Sequence, residues 1–254
     1  MVAGKTCFGL IFLLIASCGE STSVPQAQTP PVPTSDVPLR TGTIEGVVRV
    51  DSDDIAPLTG NIRGFEKYCG AGPLELKAYR VDAATKGLAG AFVEVDGRCA
   101  DFKVATVPVL DQKACVFTPD LLVVPPGPVL FRNSDAMAHN ITLQGLLNPV
   151  VKEGFPGGEA ISRNFPFDEK LSVHCSVHPW MLAGLVVTRR AAHAVSGPEG
   201  RFRIEGVEAG RRKIKAWHVL GEESTVEVEV PADGKVQVEI RWKPRAGFRA
   251  SFGR

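Results

Sequence analysis

The sequence predicts an all-β chain folded as two antiparallel sandwiches. Three observations lead there. Apolar and polar residues alternate with period two along most of the chain, no long amphipathic helical stretch appears, and turn residues break the apolar runs at short, regular spacing.

The first residues read as a targeting segment. Lys5 is the only charge before the apolar run 7–16. That run is far shorter than the roughly 20 residues a membrane-spanning helix needs, but it suits the core of a signal peptide spanning residues 1–17. Residues 18–41 follow as a linker, with Pro25, Pro30, Pro31, Pro33 and Pro38 among Ser, Thr and Gln. Such a composition buries too little surface to offset its ordering entropy. Proline keeps it extended, so about 20 residues at roughly 3 Å each reach some 60 Å. The formal charge of +1 loses Lys5 with the leader, and a near-neutral chain of mixed signs argues against nucleic acid as a partner. What remains is long enough for one large or two small domains.

The strands come next. Phe117 to Val124 runs into Pro125-Pro126-Gly127, then Val129-Leu130-Phe131 leads to Asn133 and Asp135, and Leu182 to Thr188 forms a later strand. Phe202 and Ile204, then Ile214 and Ala216, alternate across Glu208-Ala209-Gly210. Val226, Val228 and Val230 are followed by Pro231-Ala232-Asp233-Gly234 and then Val236, Val238, Ile240 and Trp242, which predicts a hairpin with one buried face. The tail 244–254 lacks alternation and is expected to be disordered. His193 is expected to be exposed, and His218 to lie in a sheet.

The chemistry sits in His174-Cys175-Ser176-Val177-His178-Pro179-Trp180-Met181 and in His139-Asn140 upstream. One thiolate, two imidazoles and one thioether are the donor set of a mononuclear electron-transfer copper site. Cys175, His139 and His178 would form a trigonal plane and Met181 a weak axial donor, all on one copper ion. Pro179 stiffens the loop, and Trp180 either shields the ion or fills core. A multicopper oxidase or nitrite reductase reading fails on arithmetic, because multicopper oxidases need a second, imidazole-rich copper cluster with His-x-His pairs and the chain has five histidines and no such pair. A Cys-His hydrolase would leave Met181 without purpose. Two other readings stay open: a non-redox envelope module that binds carbohydrate or protein, and a copper carrier or chaperone. Cys69, Cys99 and Cys115 would then be left in an oxidising compartment, enough for one disulfide and one spare thiol. A three-cysteine metal site lacks the close pairing such sites use.

Several segments resemble known families. Leu14-Ile15-Ala16-Ser17-Cys18 resembles the lipobox of bacterial lipoproteins, which implies cleavage before Cys18 and acylation of that residue. Two or three acyl chains anchor stably, so the resemblance places the chain on the cell envelope, facing the periplasm or exterior. Gly19, standing where Asp retains such proteins at the inner membrane of enteric bacteria, points to the outer membrane. Residues 196–210 resemble the carboxypeptidase regulatory-like module, a small transthyretin-like sandwich, and Ile44–Val48 and Gly87–Val93 resemble its opening strands. The implied arrangement is one discontinuous sandwich from 42–95 and 191–243, with 96–190 inserted; tandem order is the alternative.

Residues 96–190 are similar to plastocyanin- and amicyanin-type cupredoxins, which are Greek-key sandwiches. The amicyanin-type loop has the same Cys-x2-His-x2-Met interval and a His before its Cys. The resemblance implies that Asn140 ties the two ligand segments together by hydrogen bonds. It also implies that His174 points to the opposite strand face, as an outer partner or a structural residue. It implies that the His178 edge lies near the surface under an apolar patch, where electrons leave. The expected role is that of a non-enzymatic, monomeric carrier meeting envelope redox proteins through small, weak interfaces. Resemblance to envelope proteins that combine these two domains implies a Cys69–Cys115 disulfide, with Cys99–Cys115 the competitor.

Overall fold

The structure is a computed structural model that describes residues 39–252. The signal peptide, Cys18, the linker up to residue 38, and residues 253 and 254 lie outside the described residues. Within them, alternation turns Ile44, Val48 and Val50 of the strand Thr41–Val50 toward a core. This strand is the middle of a three-stranded sheet, antiparallel to Arg201–Glu208 and parallel to Lys235–Trp242. Gly46 is required at its centre. A Cβ there would stand 2.5 Å from the Phe202 ring and 2.6 Å from the Val238 carbonyl oxygen. A second sheet runs in the order His193–Val195, Phe92–Val95, Gly210–Trp217, Ser224–Val230. Ile44, Val48, Ile240 and Trp242 from the first sheet share a core with Val93, Val95, Ile214 and Ala216 from the second.

The expected hairpin at Pro231–Gly234 does not form. Ser224–Val230 bonds to Gly210–Trp217, whereas Lys235–Trp242 bonds in parallel to Thr41–Val50 over eight register pairs. The turn therefore carries the chain from one sheet to the other. The alternation that suggested a hairpin is equally what two facing sheets require, because each strand needs one apolar face.

Residues 109–187 build two further sheets. One has the order Ala160–Phe165, Gly127–Asn133, Val109–Lys113, Val116–Thr118. The other has the order Val151–Phe155, His139–Leu143, Glu169–His174, Leu182–Val187, Leu121–Val124. Leu110, Val129, Phe131 and Phe165 of the first sheet are fully buried, as are Ile141, Leu143, Val173 and Leu185 of the second. Each such side chain contributes about 1.5–3 kcal/mol relative to leaving it in water.

Residues 55–80 hold little regular structure: a four-residue helix Glu66–Cys69 and the short pair Thr59–Gly60 with Leu74–Glu75. They are nonetheless fixed, because Leu58, Ile62, Leu76 and Tyr79 are buried. This segment, called the flap below, matters for the site. Among the described residues no helix is long and apolar enough to cross a membrane.

Three expectations need correction. The tail is structured as far as Phe252: Phe248–Ser251 forms a 3-10 turn, Phe252 is buried, Arg249 pairs with Asp54, and Phe248 meets the Tyr79 ring edge-on. His193 is half-buried, between the Phe92 and Phe102 rings, in a short strand. His218 follows the strand Gly210–Trp217 rather than lying in it, and it is buried against Trp242.

Burial pushes the His218 imidazole down to about 3, with Arg80 adding to the effect. The folded state therefore resists a proton that the unfolded chain accepts. Stability from this group is complete above the ordinary histidine value and falls as pH drops toward 3, by about 1.4 kcal/mol per pH unit. Urea unfolding between pH 7 and 5 should show this slope in the native protein and lose it in His218→Phe.

Candidate metal centre

Period two decides which side chains enter the site. Leu171 and Val173 face inward from Glu169–His174, so continuing the alternation turns Cys175 inward and His174 outward to solvent. His139, Ile141 and Leu143 share the inner face of the neighbouring strand. Two backbone bonds close the loop after Cys175. The Met181 N–H donates to the His178 carbonyl at 2.9 Å, and the Cys175 N–H donates to the Met181 carbonyl at 3.2 Å. This fold-back brings His178 and Met181 over Cys175.

The donors converge. His139 Nδ1 and His178 Nδ1 are 2.9 Å apart, and Cys175 Sγ is 3.6 Å from His178 Nδ1. One donor atom from each of these three residues lies within 4.8 Å of the others. Met181 is close by, and so is Met137, a second thioether two residues before His139. Exposure is 2 % for His139 and Cys175 and zero for His178 and Met181.

The protonation pattern shows what the site can hold. Asp135 Oδ2 lies 2.8 Å from His139 Nε2, and a carboxylate accepts, so Nε2 carries a hydrogen and Nδ1 is the nitrogen turned inward, where losing its proton would free a lone pair for a metal. Burial opposes a charged imidazole at His139, but hydrogen bonds to Cys175 and Asp135 outweigh it and raise its affinity for a proton. Burial likewise opposes a thiolate at Cys175, yet hydrogen bonds from His139 and His178 prevail and lower it to about 5. The Cys175 sulfur and the two inward imidazole nitrogens share protons in this arrangement, and a cation could take the place of those protons. Two sulfurs and two imidazoles, with no carboxylate grouped with Cys175 and His178 among the described residues, fit a soft ion such as copper.

Supporting residues lock these donors. Asp135 also accepts from the backbone N–H groups of Ala114, at 2.6 Å, and Cys115, at 2.9 Å. Both residues have positive φ, +53° and +57°, in the tight turn between Val109–Lys113 and Val116–Thr118. Asn140 donates to Ser176 Oγ at 2.6 Å and accepts from the Ser176 N–H at 2.7 Å, so it joins the strand bearing His139 to the loop bearing Cys175. Buried Gln112 donates to the Asn140 carbonyl at 3.0 Å. Removing Asp135 should leave the His139 ring free to choose the wrong tautomer. Asp135→Ala is expected to weaken copper binding roughly 10–100-fold, the usual cost of losing such a partner, as measured by competition with a chelator.

The flap closes the site from above. The Phe65 ring meets His178 edge-on at 4.7 Å and Trp180 at 5.7 Å, and Trp180 lies 5.1 Å from His178. Trp180 is buried, and its Nε1–H donates to the Cys115 carbonyl at 3.0 Å. It rests beneath Gly60, where a Cβ would come within 2.5 Å of the Trp180 Cβ. A disulfide joins Cys69 of the flap to Cys115, with their Cα atoms 5.3 Å apart. Cys99 is a free, half-buried thiol. The expected His178 edge near the surface is therefore absent. His178 Nε2 is buried and makes no hydrogen bond among the described residues.

Two contributors escaped sequence reasoning. Asp135 stands four residues before His139, so an Asp-x3-His interval was there to read. Phe65 carried no signal, because nothing in its surroundings shows that the flap folds over a loop more than 100 residues later.

Comparison with solved structures finds partial matches. A copper-containing nitrite reductase from Thermus scotoductus is 20% identical over 35% of this chain, with a TM-score of 0.31. The chain matches only 25% of that protein's length. A purple cupredoxin from Nitrosopumilus maritimus is 21% identical over 32% of this chain and 99% of its own, with a TM-score of 0.28. A Cu(I) mutant form of amicyanin is 23% identical over 38% of this chain and 98% of its own, with a TM-score of 0.30. No family model and no curated protein matches the chain.

Proposed function

We propose that this protein binds one copper ion through His139, Cys175, His178 and Met181 and carries single electrons between redox proteins of the cell envelope. The observation that carries the reading is the convergence of both Nδ1 atoms and the Cys175 sulfur in a buried pocket. Bound copper would supply a one-electron couple. The surrounding residues supply the rest of the function. Donors fixed by Asp135, Asn140 and the closed loop cannot rearrange much, so the site changes little between oxidation states and exchange is fast. Four protein donors under Phe65 and Trp180 leave no open position of the kind catalytic metal sites keep, which favours electron transfer over catalysis at the metal. The same burial disfavours the chaperone reading, since handing over an ion needs donors that a partner can reach.

Tethering through an acylated Cys18, an envelope location and a monomeric state belong to this proposal on the strength of the sequence. A proline-rich tether of about 20 residues would let the folded part sweep between partners.

Adding Cu(II) to the purified protein should give an intense visible band with one copper per chain. Ascorbate should bleach the band and ferricyanide restore it. Cu(I) binding without a coloured oxidised form would favour the chaperone, and no uptake at all would leave a binding module.

A further inference from the structure

The flap covers one side of the buried site, and a surface cleft runs along another. On the His178 side stand Phe65, Trp180 and the flap, held to the turn below by the Cys69–Cys115 disulfide. On the other side a cleft of about 460 Å³ reaches Cys175 and Ser176. His174 also lines it, and Leu220, Arg245 and Phe248 contribute to its walls. The segment carrying Arg245 is held in place, because the Arg245 N–H donates to the Leu220 carbonyl at 2.9 Å. No carboxylate lines the cleft. Arg245 itself is exposed and forms no ion pair among the described residues.

We infer that electrons enter and leave through this cleft, by way of Cys175 and the Ser176 peptide, and that the partner is a redox protein presenting carboxylates around its exposed cofactor edge. The inference rests on the copper reading above. Tunnelling falls steeply with distance and favours covalent paths, and Cys175 offers a continuous one from its sulfur to the cleft floor. His178 offers none to solvent, because its outer nitrogen ends under the flap. Charge complementarity selects the partner: Asp51 and Asp54, which line the neighbouring pocket with Arg245, pair with Arg241 and Arg249, so the unpaired Arg245 guanidinium is left to attract anions to the cleft and speed encounter. One electron passes from the reduced partner to the oxidised site, or back, and no bond is made or broken.

The test has one arm without copper and one with it. Hexacyanocobaltate(III), a redox-inert trianion, is titrated into the metal-free protein while amide NMR shifts are followed. Shifts should centre on Ser176, Leu220 and Arg245 and vanish in Arg245→Glu. Shifts centred on the flap would overturn the inference. In the second arm, ferricyanide oxidises the reduced, copper-loaded protein. Arg245→Glu and Ala246→Trp, which fills the cleft, should each slow the reaction at least tenfold with the visible band unchanged, while Lys67→Glu on the flap leaves it within twofold. Rates that follow Lys67 and ignore both cleft variants would also overturn it. Failure to take up copper would defeat the functional reading alone, since the titration still decides where anions bind.

Discussion

Replacing Cys175 with serine is expected to abolish the intense visible band and to lower copper affinity by more than the roughly 10–100-fold that losing an outer partner costs. The reason lies in ionisation as well as softness. Hydrogen bonds with His139 and His178 lower the thiol to about 5, against the opposing effect of burial, which eases the loss of its proton to a metal. A serine hydroxyl at that position stays neutral and offers a hard oxygen that Cu(I) binds poorly. Because Cys175 is buried and serine is close in size, the fold should survive, and circular dichroism of the variant should match the native protein. An unchanged band in Cys175→Ser would place the copper elsewhere.

The second large effect concerns the flap. Removing the disulfide with Cys69→Ala and Cys115→Ala should cost about 4 kcal/mol of stability. That follows from the loop-closure entropy released when residues separated by 46 positions are no longer joined. Urea unfolding of the two proteins side by side measures it, and a difference below about 1 kcal/mol would show that the buried flap residues suffice alone. The copper site should respond too. Cys115 joins the flap to the turn whose N–H groups Asp135 holds, and Asp135 orients His139. The double variant should therefore bind copper more weakly even where it remains folded.

Much of this was legible in the sequence because it is local. The interval from Cys175 through His178 to Met181 is one turn of chain, closed by backbone bonds that need only neighbouring residues. The inward aim of Cys175 follows from Leu171 and Val173, and that of His139 from Ile141 and Leu143, since strand periodicity is fixed by geometry. What alternation cannot give is the partner of a strand. Lys235–Trp242 carries the same pattern whether it bonds to its predecessor or to Thr41–Val50, nearly 200 residues away. The flap was illegible for the same reason in stronger form. Its residues have little regular structure, and they are placed by Leu58, Ile62, Leu76, Tyr79 and the disulfide, all long-range terms. The full burial of His178 depends on Phe65 and not on the loop that bears it.

The most direct measurement is X-ray absorption at the copper edge of the loaded protein in both oxidation states. The convergent donors require one short copper–sulfur vector and two imidazole nitrogens, nearly unchanged when an electron is added. A shell of nitrogen and oxygen alone, or a shell that rearranges on reduction, would contradict a buried His139–Cys175–His178 centre.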